Sequence, residues 1–166
     1  VRRSSNTIKD RALSSLTYLL PMSAVVILGA FLFRQFPQLM TIFSPLILVA
    51  TIGNLRIVDF VSVRFVVWAV LFFAVVRNHR LGHFVRFNAM QSVLLDVVVS
   101  LFEILIQIMM ILFGKTSFAA SMLEVLATTA FLAVMGASIY SLFYAVQGKY
   151  AQIPMISDAA DFNTRY

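Results

Sequence analysis

Asn88, Ser92, Asp96, Ser100, Glu103 and Gln107 recur at spacings of four, four, four, three and four in the otherwise apolar stretch RFNAMQSVLLDVVVSLFEILIQ, residues 86–107. On a helix of about 3.6 residues per turn they share one face, with Gln91 at its edge. Such a ladder of amides, hydroxyls and carboxylates can hold water, bind a cation or proton, or bond to polar groups on a neighbouring helix. In the centre of a membrane span an Asp costs roughly 2.5–3.5 kcal/mol on insertion scales, so this face does not look at lipid. Two readings stay open: a structural stripe bonded to other helices, and a stripe that faces a hydrated path or a partner subunit.

Arg64 is the one basic residue inside a candidate span. Counted from the inner ends of their spans, it lies 12 residues deep, between Asp96 at 9 and Glu103 at 16. An Arg64–Asp96 or Arg64–Glu103 pair is therefore possible, and Glu124 can lie at a depth similar to Glu103. A single buried cation cannot neutralise all three carboxylates. The remainder must be protonated, hydrated or matched by another chain.

Other chemistry finds little support. His79 and His83 stand four apart, but Arg77, Arg80 and Arg86 around them oppose a cation, so no metal and no cofactor is expected. Cysteine is absent, which excludes disulfides and thiolate sites. No GxSxG, HExxH or Walker sequence occurs. Paired intramembrane aspartates are not available either, because Asp59 is near a span's end and Asp96 stands alone. An enzyme is not expected, and no nucleic-acid motif is present.

The elements that must position these groups are membrane spans. The chain is 61% apolar and 12% charged, with a mean hydropathy of +0.93; soluble domains run near 45–50% apolar and about 25% charged. Residues 12–33 form 22 uncharged positions between Arg11 and Arg34, enough for one span, with Pro21 placed to kink it. Further spans are expected at 57–76, 87–113 and 118–146, followed by a tail at 147–166. Residues 35–55 are uncharged but interrupted by Pro37, Pro45 and Gly53. They can form an interfacial or re-entrant segment, or a fifth span.

Charge decides between these. Four spans place nine Lys and Arg on the side of the termini and three on the other, whereas five spans give six against six. The positive-inside rule favours four, with both termini and the 77–86 loop inside. The expected fold is thus an all-α integral membrane protein of one domain, with an interfacial or re-entrant segment between its first two spans. Arg77, Arg80 and Arg86 would meet lipid phosphate or an acidic partner surface. Any targeting peptide is expected to lie outside residues 1–166, since Val1 onward shows no cleavable-signal pattern.

In the fourth span Ala133, Ala137, Ser141 and Ala145 make a small-xxx-small ridge for close helix packing, with Gly136 and Ser138 adding to it. Tyr140, Tyr144 and Tyr150 flank its inner end, as an aromatic belt would.

VVRN (75–78) followed by FVRFNAMQSVLLD (84–96) resembles the signature of the twenty-kilodalton membrane subunit of the TIC complex, the translocon at the inner chloroplast envelope. YLLPM (18–22) and FRQFPQL (33–39) are similar to that family's first-span and following segments, in the same order. The family's acidic residue after YLLP has no counterpart, because Ser23 and Ala24 follow Met22. The resemblance implies four spans with both termini in the stroma and a role in moving transit-peptide-bearing precursors across the inner envelope. It implies other TIC subunits and the TOC–TIC supercomplex as partners. A scaffold subunit, with the stripe as glue between chains, is the first alternative. A small-solute or ion transporter is the second, and the lack of a repeat between residues 12–76 and 87–146 argues against it.

Overall fold

The computed structural model describes residues 7–59, 61–114 and 116–164, and is almost entirely helical. Arg2, Arg3, Lys115 and Arg165 of the charge count lie outside the described residues.

α1 runs from Ile8 to Gln35. Thr7 starts it with a capping box: its hydroxyl accepts from the Asp10 amide at 3.3 Å, and the Asp10 carboxylate accepts from the Thr7 amide at 3.0 Å. Past Pro21 the helix tightens to a 3₁₀ turn over Val26–Gly29. It ends at Phe36, whose backbone leaves the helical region (φ -127°, ψ 81°), as a residue before a proline tends to do. Pro37 then occupies the first turn of α2, Pro37–Gly53, where its missing N–H costs nothing.

A two-stranded antiparallel hairpin follows, with β1 at Arg56–Val58 and β2 at Val61–Ser62. Ser62 caps α3, Val63–Val76, by accepting from the Phe65 amide. α4 is His83–Phe113 and α5 is Ser117–Val146, the latter capped by Thr116. Gly114 and Gly148 end these two helices with φ of 61° and 75°, backbone that only glycine adopts freely. The tail carries a short α6, Ile156–Thr164.

α1, α4 and α5 are long and apolar enough to cross a membrane; α2 and α3 are shorter apolar helices. Contacts at three levels fix the helix directions. At one end Gln35 meets Glu124, and Phe33 stacks on Phe43 while Phe131 meets both edge to face. At the middle Ala24, Val26, Ala50, Val99 and Val134 share a core. At the other end Tyr18, Phe84, Leu95 and Ala145 form a second core, and Val76 packs with Phe87 and Met90.

α2 therefore runs from the first end to the middle, and α3 continues from the middle to the other end in the same direction. Gly53 meets Arg64 where they join: a Cβ on Gly53 would sit 3.7 Å from that of Arg64. At 17 and 14 residues these helices are about 25 and 21 Å long, each short of a hydrocarbon core of about 30 Å.

This differs from the sequence expectation of a helix at 57–76. Arg56–Val58 and Val61–Ser62 pair as strands, and helix begins only at Val63. The reason is local: Arg56 donates to the Asp59 carbonyl across the turn, and the Ser62 cap supplies the helix start. Residues 37–53, the segment expected to be interfacial, re-entrant or a fifth span, form a helix packed along α1.

Candidate polar cleft at mid-bundle

The polar face of α4 divides at Asp96. Below it, the groups are buried and bonded within the chain. The Tyr18 hydroxyl lies 2.8 Å from Asn88 Oδ1 and 2.9 Å from Gln91 Oε1, sharing its one proton between them. Gln91 Nε2 donates to the Ser157 hydroxyl, and the Ser92 hydroxyl donates to the Thr17 carbonyl. Asn88, Gln91 and Ser92 have no exposed surface. α1 and the tail helix α6 cover these three, so of the two readings open from sequence their bonds fit the structural one.

Above that level the face opens. Arg64 Nε donates to Asp96 Oδ1 at 3.0 Å, and Arg64 Nη1 to Glu103 Oε1 at 3.0 Å. Arg64 Nη2 reaches the Ser100 hydroxyl at 3.2 Å. The Asp96 side chain is 5% exposed, that of Arg64 14% and that of Glu103 30%, so the cluster is graded from buried to partly open. One guanidinium serves two carboxylates and a hydroxyl. Gln107 lies one turn further and is exposed.

These groups border a cleft of about 470 Å³, with Asn54 and Ser62 from the α2–α3 junction and Phe65 and Trp68 from α3. Trp68 is held in a stack, 6.1 Å from Phe65 and 5.6 Å from Phe72 between ring centres. Residues 54–59 of the junction are exposed. Asn54, Ser62 and Trp68 were not singled out from sequence. The readable signal was a Gly-Asn pair followed by Arg56 and Asp59, a turn within an apolar run.

Other expected groups fall elsewhere. Glu124 accepts from Gln35 Nε2 at 3.0 Å and does not join Arg64, being near the end of α5. Arg86 is buried on α4, donating to the Val76 carbonyl at 2.8 Å, so it locks α3 to α4. Arg77 and Arg80 are exposed. Ser138, Ser141 and Ala145 of α5 are buried, Ala137 packs against the Tyr18 core, and Ala133 is exposed and off the packed face. The inward face instead steps through Ala127, Ala130, Val134, Ser138, Ser141 and Ala145, at spacings of three and four.

The Tyr140 and Tyr144 rings meet at a tilt of 46° with centres 4.7 Å apart, while Tyr150 packs on Phe84 and Phe87. His83 takes part in a tail contact, with Nδ1 3.2 Å from the Tyr150 hydroxyl and Nε2 3.5 Å from Asp161 Oδ1. Burial, helped by the Asp161 charge, raises the Tyr150 phenol above its ordinary value, so it stays protonated beside His83. Among the described residues no three His, Asp or Glu come together as a metal site.

Fold and cleft together define a helical membrane protein with a polar notch at half-depth and a break in the helical backbone beside it. The comparisons make this specific: residues 7–160 match the family described as "Chloroplast import apparatus Tic20-like", and the chain belongs to the Tic20 family. It is similar to a Tic20 family protein of Synechocystis, 36% identical over 159 residues, covering 95% of this chain and 94% of that one. It is also similar to Protein TIC 20-II, chloroplastic, of Arabidopsis thaliana, 32% identical over 91% of this chain and 70% of the relative. A Tic20 family protein Ycf60 of Pyropia yezoensis is 40% identical over 54% of this chain and 43% of its own length.

Proposed function

We propose that this chain is a membrane subunit of a protein-import translocon, and that its mid-bundle cleft faces the path of precursor proteins. The family description and the chloroplastic relatives support import. In a plastid the membrane would be the inner envelope, with both termini and the 77–86 loop in the stroma. The chain would cross it four times: α1, then α2 and α3 together as one broken pass, then α4 and α5. Other TIC subunits, the TOC–TIC supercomplex and transit-peptide-bearing precursors are the partners this implies.

One observation carries the reading. Asn54 and Ser62, from the irregular junction between α2 and α3, border the cleft with Arg64, Asp96 and Glu103 at the middle of the bundle, and residues 54–59 of that junction are exposed. Lipid cannot satisfy peptide groups at that depth; irregular backbone there is tolerated only against protein or water. A hydrated cleft that lowers the cost of passing an extended chain's amides meets both conditions. Four helices enclose little space, so the far wall of any such path comes from a partner chain or another copy.

The test is Ser100→Leu with Glu103→Leu, which closes the wet side of the cleft and leaves Arg64 bonded to Asp96. Precursor import per assembled complex should fall at least threefold while assembly is retained. Lost assembly with normal import per surviving complex refutes the reading and favours the scaffold alternative, which the burial of Asp96 also supports.

A further inference from the structure

A second opening lies between α1 and α3. Leu13, Leu16 and Leu20 form one wall and Val67, Leu71 and Val75 the other, around about 630 Å³. Its deep end is shut where Gly53 meets Arg64, and Leu81 marks its mouth. From Val63 to Val75 the groove follows twelve residue steps of α3, about 18 Å. One leaflet's hydrocarbon is about 15 Å deep. The groove thus extends from the bundle's middle to the end bearing the 77–86 loop, the depth of one leaflet.

Shape and lining select the occupant. A helix about 10 Å across would run into the closed end where Gly53 meets Arg64. Water gains nothing from apolar walls, which stay dry and take apolar guests. A single extended acyl chain fits both length and lining.

The mouth adds charge. Asn78 donates to the Val75 carbonyl, Leu81 donates to the Asn78 carbonyl, and the Arg80 amide donates to Asn78 Oδ1. This turn carries Arg77 and Arg80 between Val75 and Leu81, which both line the groove. Both are exposed, and neither has a carboxylate partner among the described residues.

We propose that the groove holds one acyl chain of an anionic lipid from the leaflet on the loop side, with Arg77 and Arg80 on its phosphate or sulfonate headgroup. The site meets the polar cleft only at Asn54 and Arg64 and does not depend on the import reading. The assay uses the full chain in nanodiscs of phosphatidylcholine with increasing phosphatidylglycerol brominated on its acyl chains. Trp68 is the sole tryptophan. It is changed to Phe, and a reporter is introduced by Leu16→Trp at the groove or Ile108→Trp on the exposed face of α4.

Quenching at position 16 should half-saturate at a phosphatidylglycerol fraction at least fivefold below that at 108. Unlabelled phosphatidylglycerol should reverse it, and Arg77→Gln with Arg80→Gln should erase the difference. Equal dependence at both positions overturns the proposal, as does equally steep quenching by brominated phosphatidylcholine. Native mass spectrometry of the unsubstituted protein gives an independent reading: one retained phosphatidylglycerol per chain is expected, and none retained overturns it.

Discussion

Replacing Arg64 by leucine removes the cation that two carboxylates share, and the structure sets the size of the loss. Asp96, at 5% side-chain exposure, is left as an unpaired buried carboxylate; breaking a buried pair from one side typically costs about 3–5 kcal/mol. The Glu103 arm is 30% exposed and can turn to water, so its loss adds at most about 1 kcal/mol. Arg64→Leu should therefore destabilise the protein by about 3 kcal/mol or more, measured as unfolding free energy in bicelles by SDS titration with circular dichroism. Adding Asp96→Asn removes the orphan charge and should restore at least half of that loss. Glu103→Gln alone should cost about 1 kcal/mol or less. A loss below about 0.5 kcal/mol for Arg64→Leu, or a double variant no better than the single one, refutes the reasoning that an orphaned charge sets the cost.

Two further substitutions probe the rest of the bundle in the same assay. Tyr18→Phe leaves Asn88 and Gln91 without their shared proton in a buried site, and should cost about 1–3 kcal/mol; Leu16→Ala on the exposed rim should cost much less, and a smaller loss for Tyr18→Phe than for Leu16→Ala contradicts the role given to the phenol. Gly29→Ala puts a methyl 2.8 Å from Phe33 Cζ and 3.0 Å from the Phe131 ring, so the aromatic trio must shift, at about 1–3 kcal/mol. Gly136→Ala, where a Cβ meets nothing within 4 Å, should be neutral; equal losses at both sites would show that crowding is not the cause.

How far the sequence could be read follows from which features are periodic. The face of α4 is written in spacings of three and four, so its side-by-side alignment was visible. Depth counting also put Arg64 between Asp96 and Glu103, where the guanidinium sits. What covers that face was not visible, since Tyr18 and Ser157 come from segments 70 and 66 residues away. The hairpin was hidden because apolar length alone cannot tell helix from strand in Ile57, Val58 and Val61; Arg56, Asp59 and Ser62 carried the signal. The ridge on α5 was read with a strict period of four, which drifts around a helix of 3.6 residues per turn and so took in the exposed Ala133.

The central claim is that the open half of the α4 face meets a passing polypeptide. Because the chain has no cysteine, single cysteines can be introduced at Ser100 and, on the opposite side of α4, at Leu105, which is 44% exposed. A precursor arrested in mid-import and carrying its own cysteine is then tested for disulfide formation in the assembled complex. A bond at position 100 with none at 105 is the predicted result. Equal bonding at both, or none at position 100 with import intact, would contradict it and assign the path to other subunits.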